Sequence, residues 1–301
     1  MTEASSRSTL LPPSFPLADL SLLFVAVIWG ASYAVAKDTL AVTSVVALIF
    51  FRFLIASVVL LPVCLREMSR LQSGDALRGA ALGAILSLIF LSETVGVLHT
   101  SATNAAFLIS LCIIFTPILE SIVNGRRLPL AIAACAGLSL LGTGLMVWKA
   151  EGISFNSGDL AILCAAALRA AMVVSTKRLF VGRAISSGAL TSLQMITVMA
   201  LSGALLFVTQ GASGFVPPSA PAFWTGLLFL ALFCTLAAFF IQTWAVRHTN
   251  PTRVSFLMGT EPVFGAVFAV LLLGEVFTWL DAAGAALILA GTYFGARLSS
   301  Q

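Results

Sequence analysis

HTSATNAAFL, residues 99–108, falls without a gap on HTNPTRVSFL, residues 248–257. The same offset of 149 carries Phe115 onto Phe264, Gly125 onto Gly274 and Gly142-Thr143 onto Gly291-Thr292, with 14 of 45 positions identical between 99 and 143. Apolar composition alone does not give so many. Nearer the N-terminus the offset is 140, with Asp19-Leu20 on Asp159-Leu160 and Lys37 on Lys177. The difference between offsets is absorbed in loops. One unit is used twice.

The medium of that unit follows from composition. Of 301 residues 59% are hydrophobic and 9% charged, where an ordinary soluble domain carries about 25% charged residues. Mean hydropathy is +1.07. So few charges cannot cover the surface of a soluble fold of this length, so most of that surface faces lipid. A helix of about 20 apolar residues crosses the hydrocarbon core and satisfies its own backbone there. Ten stretches fit: 17–37, 43–65, 77–98, 101–123, 128–148, 159–179, 187–209, 221–246, 251–273 and 278–297. These are spans 1 to 10. The expected fold is an all-α integral membrane protein of ten transmembrane helices. A first repeat covers 17–150, a second 151–298, and the Ser/Pro-rich residues 1–16 form a disordered cytoplasmic tail. Leu20 to Ile28 followed by Ala34-Val35-Ala36 has a signal-peptide look, but only Arg7 precedes it and it has a counterpart in the second half. It reads as a span.

Lys and Arg set the direction. With the N-terminus inside, twelve of the sixteen fall on the inner side and only Lys37 and Lys149 outside, which puts both termini in the cytoplasm. Arg52 and Arg169 lie within spans. Five helices are odd in number, so the second copy enters the bilayer from the opposite side. Paired inverted repeats of this kind are a transporter architecture, because exchanging the conformations of the two copies exchanges which side is open.

The +4 charge does not indicate nucleic acid, since the basic residues sit in short gaps between apolar runs. Cys64, Cys112, Cys135, Cys164 and Cys234 lie in apolar segments without a CxxC pair, so neither a disulfide framework nor a zinc site is encoded. His99 and His248 occupy equivalent helix ends, Gly142-x-Gly144 lies in an apolar span, and no phosphate-binding loop occurs. No metal or cofactor is expected. Gly79-Gly83 and Gly291-Gly295 have the spacing of close helix contacts.

Charge at membrane depth marks function by default, because it costs about 2.5–3.5 kcal/mol per group on insertion scales. Arg52 (span 2), Glu93 (span 3), Arg169 (span 6) and Glu261 (span 9) are the four such groups. None is duplicated in the repeat: Arg52 falls on Gln194, Glu93 on Gln242, Arg169 on Trp29 and Glu261 on Cys112. A residue needed only to build the fold tends to recur in both copies, whereas a single central substrate breaks the symmetry. Two cations and two carboxylates suit a zwitterion, or they pair with one another. Trp29, Ser32 and Tyr33 (span 1), Ser92 and Thr94 (span 3), Asn104 and Ser110 (span 4), Gln194 (span 7) and Gln242 and Trp244 (span 8) are expected to join them. Pro117 and Pro262, inside spans 4 and 9, are expected to bend those helices as hinges.

FVAVIWGASYAVAK (24–37), FFRFLIASVVLLP (50–62) and EPVFGAVFAVLLLGEVFTWLDAAGAALILAGTYF (261–294) resemble the EamA-type drug/metabolite transporters over nearly the whole chain. Leu273-Gly274-Glu275, followed by Gly284 and Gly291, is the most specific stretch. Within that superfamily the chain is similar to the YddG-like amino-acid exporters. The resemblance implies ten helices with cytoplasmic termini, a central cavity lined by spans 1–4 and 6–9, spans 5 and 10 at the periphery, and export of amino acids or related metabolites across the inner membrane. Gly125-Arg126 stands where the family often has Gly-Glu, so Glu275 has no counterpart in the first copy and is left out of the site.

The expected function is therefore a secondary transporter, not an enzyme. Its partners are a small amino-acid-like substrate, aromatic and hydrophobic ones included, and the lipid bilayer. A channel-like pore, or transport of other metabolites and drugs, is the alternative. A lipid-modifying enzyme lacks the needed His/Asp or Ser/His/Asp constellation within the spans.

Overall fold

The computed structural model describes residues 17–67, 71, 74–100, 102–147, 156–273 and 276–299. The tail 1–16 and Glu275 lie outside them, as do the side chains at 102–104 and so that of Asn104. Thirteen α-helices are distinguished among the described residues: α1 (Leu17–Leu40), α2 (Val45–Glu67), α3 (Asp75–His99), α4 (Ala102–Ser110), α5 (Cys112–Val123), α6 (Leu130–Val147), α7 (Ser157–Phe180), α8 (Ser187–Gln210), α9 (Pro221–Phe229), α10 (Ala238–His248), α11 (Pro251–Met258), α12 (Glu261–Leu273) and α13 (Trp279–Leu298). A π-helical stretch, Leu230–Ala237, joins α9 to α10 in one continuous rod.

Large apolar side chains lie outside: Val58, Leu61 and Leu65 on α2, Leu77 and Leu88 on α3, and Phe207 and Val208 on α8 are exposed. Such a surface is stable only against lipid. Small and polar residues face inward, because helices in lipid associate through close backbone approach and interhelical hydrogen bonds. A Cβ on Gly142 would lie 2.5 Å from the Gly284 carbonyl oxygen, which locks α6 against α13. One on Gly30 would lie 2.7 Å from the Gly265 backbone nitrogen, so α1 and α12 also touch backbone to backbone. The small-residue patterns serve the same end. Gly79 and Gly83 seat Leu193 and Thr197 of α8, while Gly291 and Gly295 seat Ser139 and Phe256.

Eight helical segments among the described residues are long and apolar enough to cross a membrane. The other two expected spans are present as shorter or interrupted helices. α6, with 18 residues, is about 27 Å long at 1.5 Å per residue, just short of a 30 Å core. Span 9 is divided into α11 and α12 at Gly259-Thr260.

Packing follows the repeat. α2 packs on its counterpart α8, and α6 on its counterpart α13. α3 packs on α7 as α10 packs on α1, and α5 on α7 as α12 on α1. Exchanging the halves maps one set of contacts onto the other.

The interruptions differ from the expected proline bends. Span 4 breaks at Leu111 and span 9 at Gly259-Thr260, and Leu111 and Thr260 are equivalent at the offset of 149. Pro262 is not in mid-helix but is the second residue of α12, where its missing N–H costs no helical bond. Pro117 stays inside α5, buried and downstream of the break. The interruption therefore belongs to the repeat, and the prolines are placed around it.

Candidate functional site

Both second half-helices begin at the middle of the bundle, α5 at Cys112 and α12 at Glu261. Free N–H groups at a helix start favour a negative charge. In the first copy that position holds a thiol; in the second it holds a carboxylate. Arg169, midway along α7, faces it: one terminal nitrogen lies 3.6 Å from Glu261. The other lies 2.9 and 2.8 Å from the two oxygens of Glu93 on α3. The guanidinium stacks over the Trp29 ring with 4.7 Å to its centroid. All three charged side chains are at most 18% exposed, so removing one leaves a buried charge without its partner.

Trp29 is fixed in turn. Its indole N–H donates to the Cys234 carbonyl at 2.9 Å, within the π-helical stretch. Arg52 on α2 lies across the same space, with Nε donating to Thr235 Oγ1 and the guanidinium 4.7 Å from the Phe90 ring centroid. No carboxylate among the described residues lies within ion-pair distance of it.

Two spaces meet here. A chamber of about 40 Å³ is walled by Trp29, Ser32, Tyr33, Arg52, Glu93, Thr94 and Arg169 together with Phe90 and Phe239. A larger cavity of about 630 Å³ takes Ser110, Gln242, Glu261 and Pro262 into its wall, and Tyr33 and Arg169 belong to both. Its lining runs from Lys37, Asp38 and Asp281 at one end of the bundle to Val254 and Ser255 towards the other. From α6 and α13 it takes only Met146 and Asp281, so that pair is largely peripheral. Tyr33 Oη and Glu261 Oε1 are buried without a well-formed hydrogen bond.

Ten of the thirteen expected binding residues thus converge. Ser32 and Ser110 spend their hydroxyls on the Trp29 and Phe107 carbonyls, at 2.8 and 2.6 Å. Gln242 Nε2 lies 3.3 Å from Met258 Sδ. Gln194 does not join: it is fully buried on α8, outside both spaces, with neither amide atom hydrogen-bonded. Trp244 stacks on His248 at 4.8 Å near the end of α10 and lines neither space.

Sequence reasoning missed Thr235 and the Cys234 carbonyl. A lone Thr in LFLALFCTLAAFF was the available signal. It also missed the ion pairs at the end of the bundle that holds Leu17 and Ser299. There Arg253 pairs with Asp19 and donates to the Ala296 carbonyl at 2.7 Å, and Arg183 donates to Asp75 at 2.9 Å. Glu120 accepts from the Thr252 backbone N–H at 2.9 Å and from its hydroxyl.

The profile of the EamA-like transporter family matches residues 16–148 and again 156–296. Two uncharacterized transporters of Archaeoglobus fulgidus are similar along most of their length. One is 29% identical over 278 residues, covering 90% of this chain and 83% of the relative; the other is 26% identical over 283 residues, covering 91% and 95%. A protein of known crystal structure shares the fold with a TM-score of 0.76 at 18% identity, over 94% of this chain and 97% of its own.

Proposed function

The chain belongs to the EamA-like transporter family, and from that premise we propose that it is a secondary transporter exporting amino acids, aromatic and hydrophobic ones included, and related small metabolites. Ten helices in two inverted repeats cross the cytoplasmic membrane, with both termini in the cytoplasm. The substrate binds among Trp29, Tyr33, Arg52, Glu93, Thr94, Arg169, Gln242 and Glu261, and alternating access carries it across.

One observation supports this above the others: the charged centre is built once, at the junction of two halves whose scaffold is built twice. Arg169 comes from the second repeat, Glu93 from the first and Glu261 from the second. A centre bridging the halves is the point that both must hold as they exchange conformations. The cavity lining reaches the exposed Lys37 and Asp38 at one end, while the opposite end is tied by Asp19–Arg253 and Asp75–Arg183. One open and one tied end fit alternating access better than a continuous pore.

Counterflow in proteoliposomes tests the reading. Liposomes loaded with an unlabelled amino acid are expected to accumulate the labelled one saturably. Linear, uncompeted flux, or ion current without counterflow, would favour the pore. Arg169→Ala and Glu261→Gln are each expected to lower counterflow at least tenfold with protein still in the membrane, because one partner of a buried pair is removed at a cost of about 3–5 kcal/mol. Normal flux in both removes the triad from the mechanism.

A further inference from the structure

The four intramembrane charges divide unequally. Glu93, Arg169 and Glu261 form one cluster in which a single guanidinium serves two carboxylates. Arg52 stands apart. Among the described residues its contacts are the Nε bond to Thr235 Oγ1 and the Phe90 ring, its two terminal nitrogens donate to none of them, and it walls the small chamber. A guanidinium held inside a membrane protein with no carboxylate in ion-pair contact is costly, and a cavity-facing one invites a mobile anion.

The backbone is bent to hold it. Thr235 donates its hydroxyl to the Leu230 carbonyl, five residues back, at 2.9 Å; that leaves its oxygen to accept from Arg52. The neighbouring Cys234 carbonyl accepts from Trp29. Both depend on the π-helical stretch, Leu230–Ala237. Its repeat equivalent, residues 81–88 in α3, is regular α-helix. π-helical turns insert an extra residue at some energetic cost and concentrate at functional sites. This one occurs in a single copy, where it presents two oxygens to the Arg52–Trp29 pair.

We propose that Arg52 is the carboxylate-recognising residue of the site, with Thr235 as its positioning residue, so that the substrate must carry a free carboxylate. This rests on the transporter reading above and deepens it. The carboxylate enters the chamber beside Arg52, whose volume of about 40 Å³ equals the room of about three waters. The cluster with its surplus carboxylate takes a cationic group, and the larger cavity takes the side chain. An amide or a decarboxylated amine leaves Arg52 unmatched.

Counterflow of labelled phenylalanine and leucine in proteoliposomes is challenged with each amino acid, its carboxamide, its decarboxylated amine and its desamino acid. For wild type, the carboxamide and the amine are expected to compete about 10- to 100-fold more weakly than the amino acid, the range of a lost hydrogen bond to a charged group. Arg52→Gln lowers the amino acid to the level of its amide, and Arg52→Lys keeps part of the preference. Thr235→Val raises KM about tenfold with little change in maximal rate, and Thr235→Ser, which keeps the hydroxyl, restores it. Thr235→Val also serves if Arg52→Gln does not fold. Equal competition by acid and amide in wild type overturns the assignment, as does full discrimination in a folded Arg52→Gln. A desamino acid that competes as well as the amino acid and depends on Arg52 keeps the carboxylate site and overturns the amino-acid reading instead. No exchange with any compound overturns both.

Discussion

At one end of the bundle Asp19 meets Arg253, Asp75 meets Arg183 and Glu120 meets Thr252; at the other, Asp159 meets the hydroxyl of Thr100 and caps its own helix from Asn156. Asp159 is the repeat equivalent of Asp19, and Arg253 falls in the repeat on Asn104. The scaffold is thus nearly symmetric and the fastenings are not. An ion pair between largely buried groups, with Asp19 3% and Arg253 16% exposed, is costly to break by removing one partner, about 3–5 kcal/mol. A neutral or singly charged hydrogen bond gives about 0.5–3 kcal/mol. In the proposed orientation the charged end is cytoplasmic. The cavity lining reaches the exposed Lys37 and Asp38 at the other end, so in the proposed transport cycle the conformation described is the one the stronger fastening favours.

Arg253→Ala is the harshest way to break that comparison. It strands Asp19, and with 1.4 kcal/mol worth a tenfold change in population it is expected to invert the balance between the two open states. A cysteine at Ala34, an exposed wall residue of the cavity, reports the change on a background without native cysteines. Its modification by a charged thiol reagent from the non-cytoplasmic side should fall at least tenfold. Exchanging the charges, Asp19→Arg with Arg253→Asp, should recover part of it. Unchanged labelling in Arg253→Ala means the ion pair does not hold that end closed.

Glu120→Gln sharpens the comparison with a middling effect. The carboxylate joins α5 to the first turn of α11 through two bonds to Thr252. An amide retains a weaker acceptor, so the loss is of charge assistance alone, about 1 kcal/mol. Labelling at position 34 should fall about fivefold, less than for Arg253→Ala. A larger fall would make Glu120, rather than Arg253, the principal fastening.

How much of this could be read from sequence depends on range. The repeat was legible because His99–Leu108 and His248–Leu257 keep register without gaps, and the charged depth of Arg52, Glu93, Arg169 and Glu261 because apolar neighbours isolate them. Their pairing was not legible. Arg169 and Glu93 are 76 residues apart, and Arg253 and Asp19 are 234 apart, so nothing local says which carboxylate each arginine meets. Arg253 read simply as one more inner basic residue. The helix interruptions at Leu111 and Gly259-Thr260 were masked by Pro117 and Pro262, the more obvious helix breakers nearby. The π-helical stretch had no signal at all, since one extra residue in a turn of LALFCTLA leaves hydropathy unchanged.

Thr100→Val should have the smallest effect, and that smallness is the sharper test of the asymmetry. Valine has nearly the shape of threonine but removes the hydroxyl that Asp159 accepts. Asp159 still accepts from the Asn156 backbone N–H at 2.9 Å, so the carboxylate is not stranded. The cost is therefore one hydrogen bond and not an orphaned charge, about 1 kcal/mol or less. The bond is made in the conformation described here, so its loss should lower that population slightly. Labelling at position 34 should therefore fall, by less than about fivefold. If Thr100→Val instead lowers labelling as far as Arg253→Ala does, the two ends are equally fastened, and the single charged centre alone must account for any preference between them.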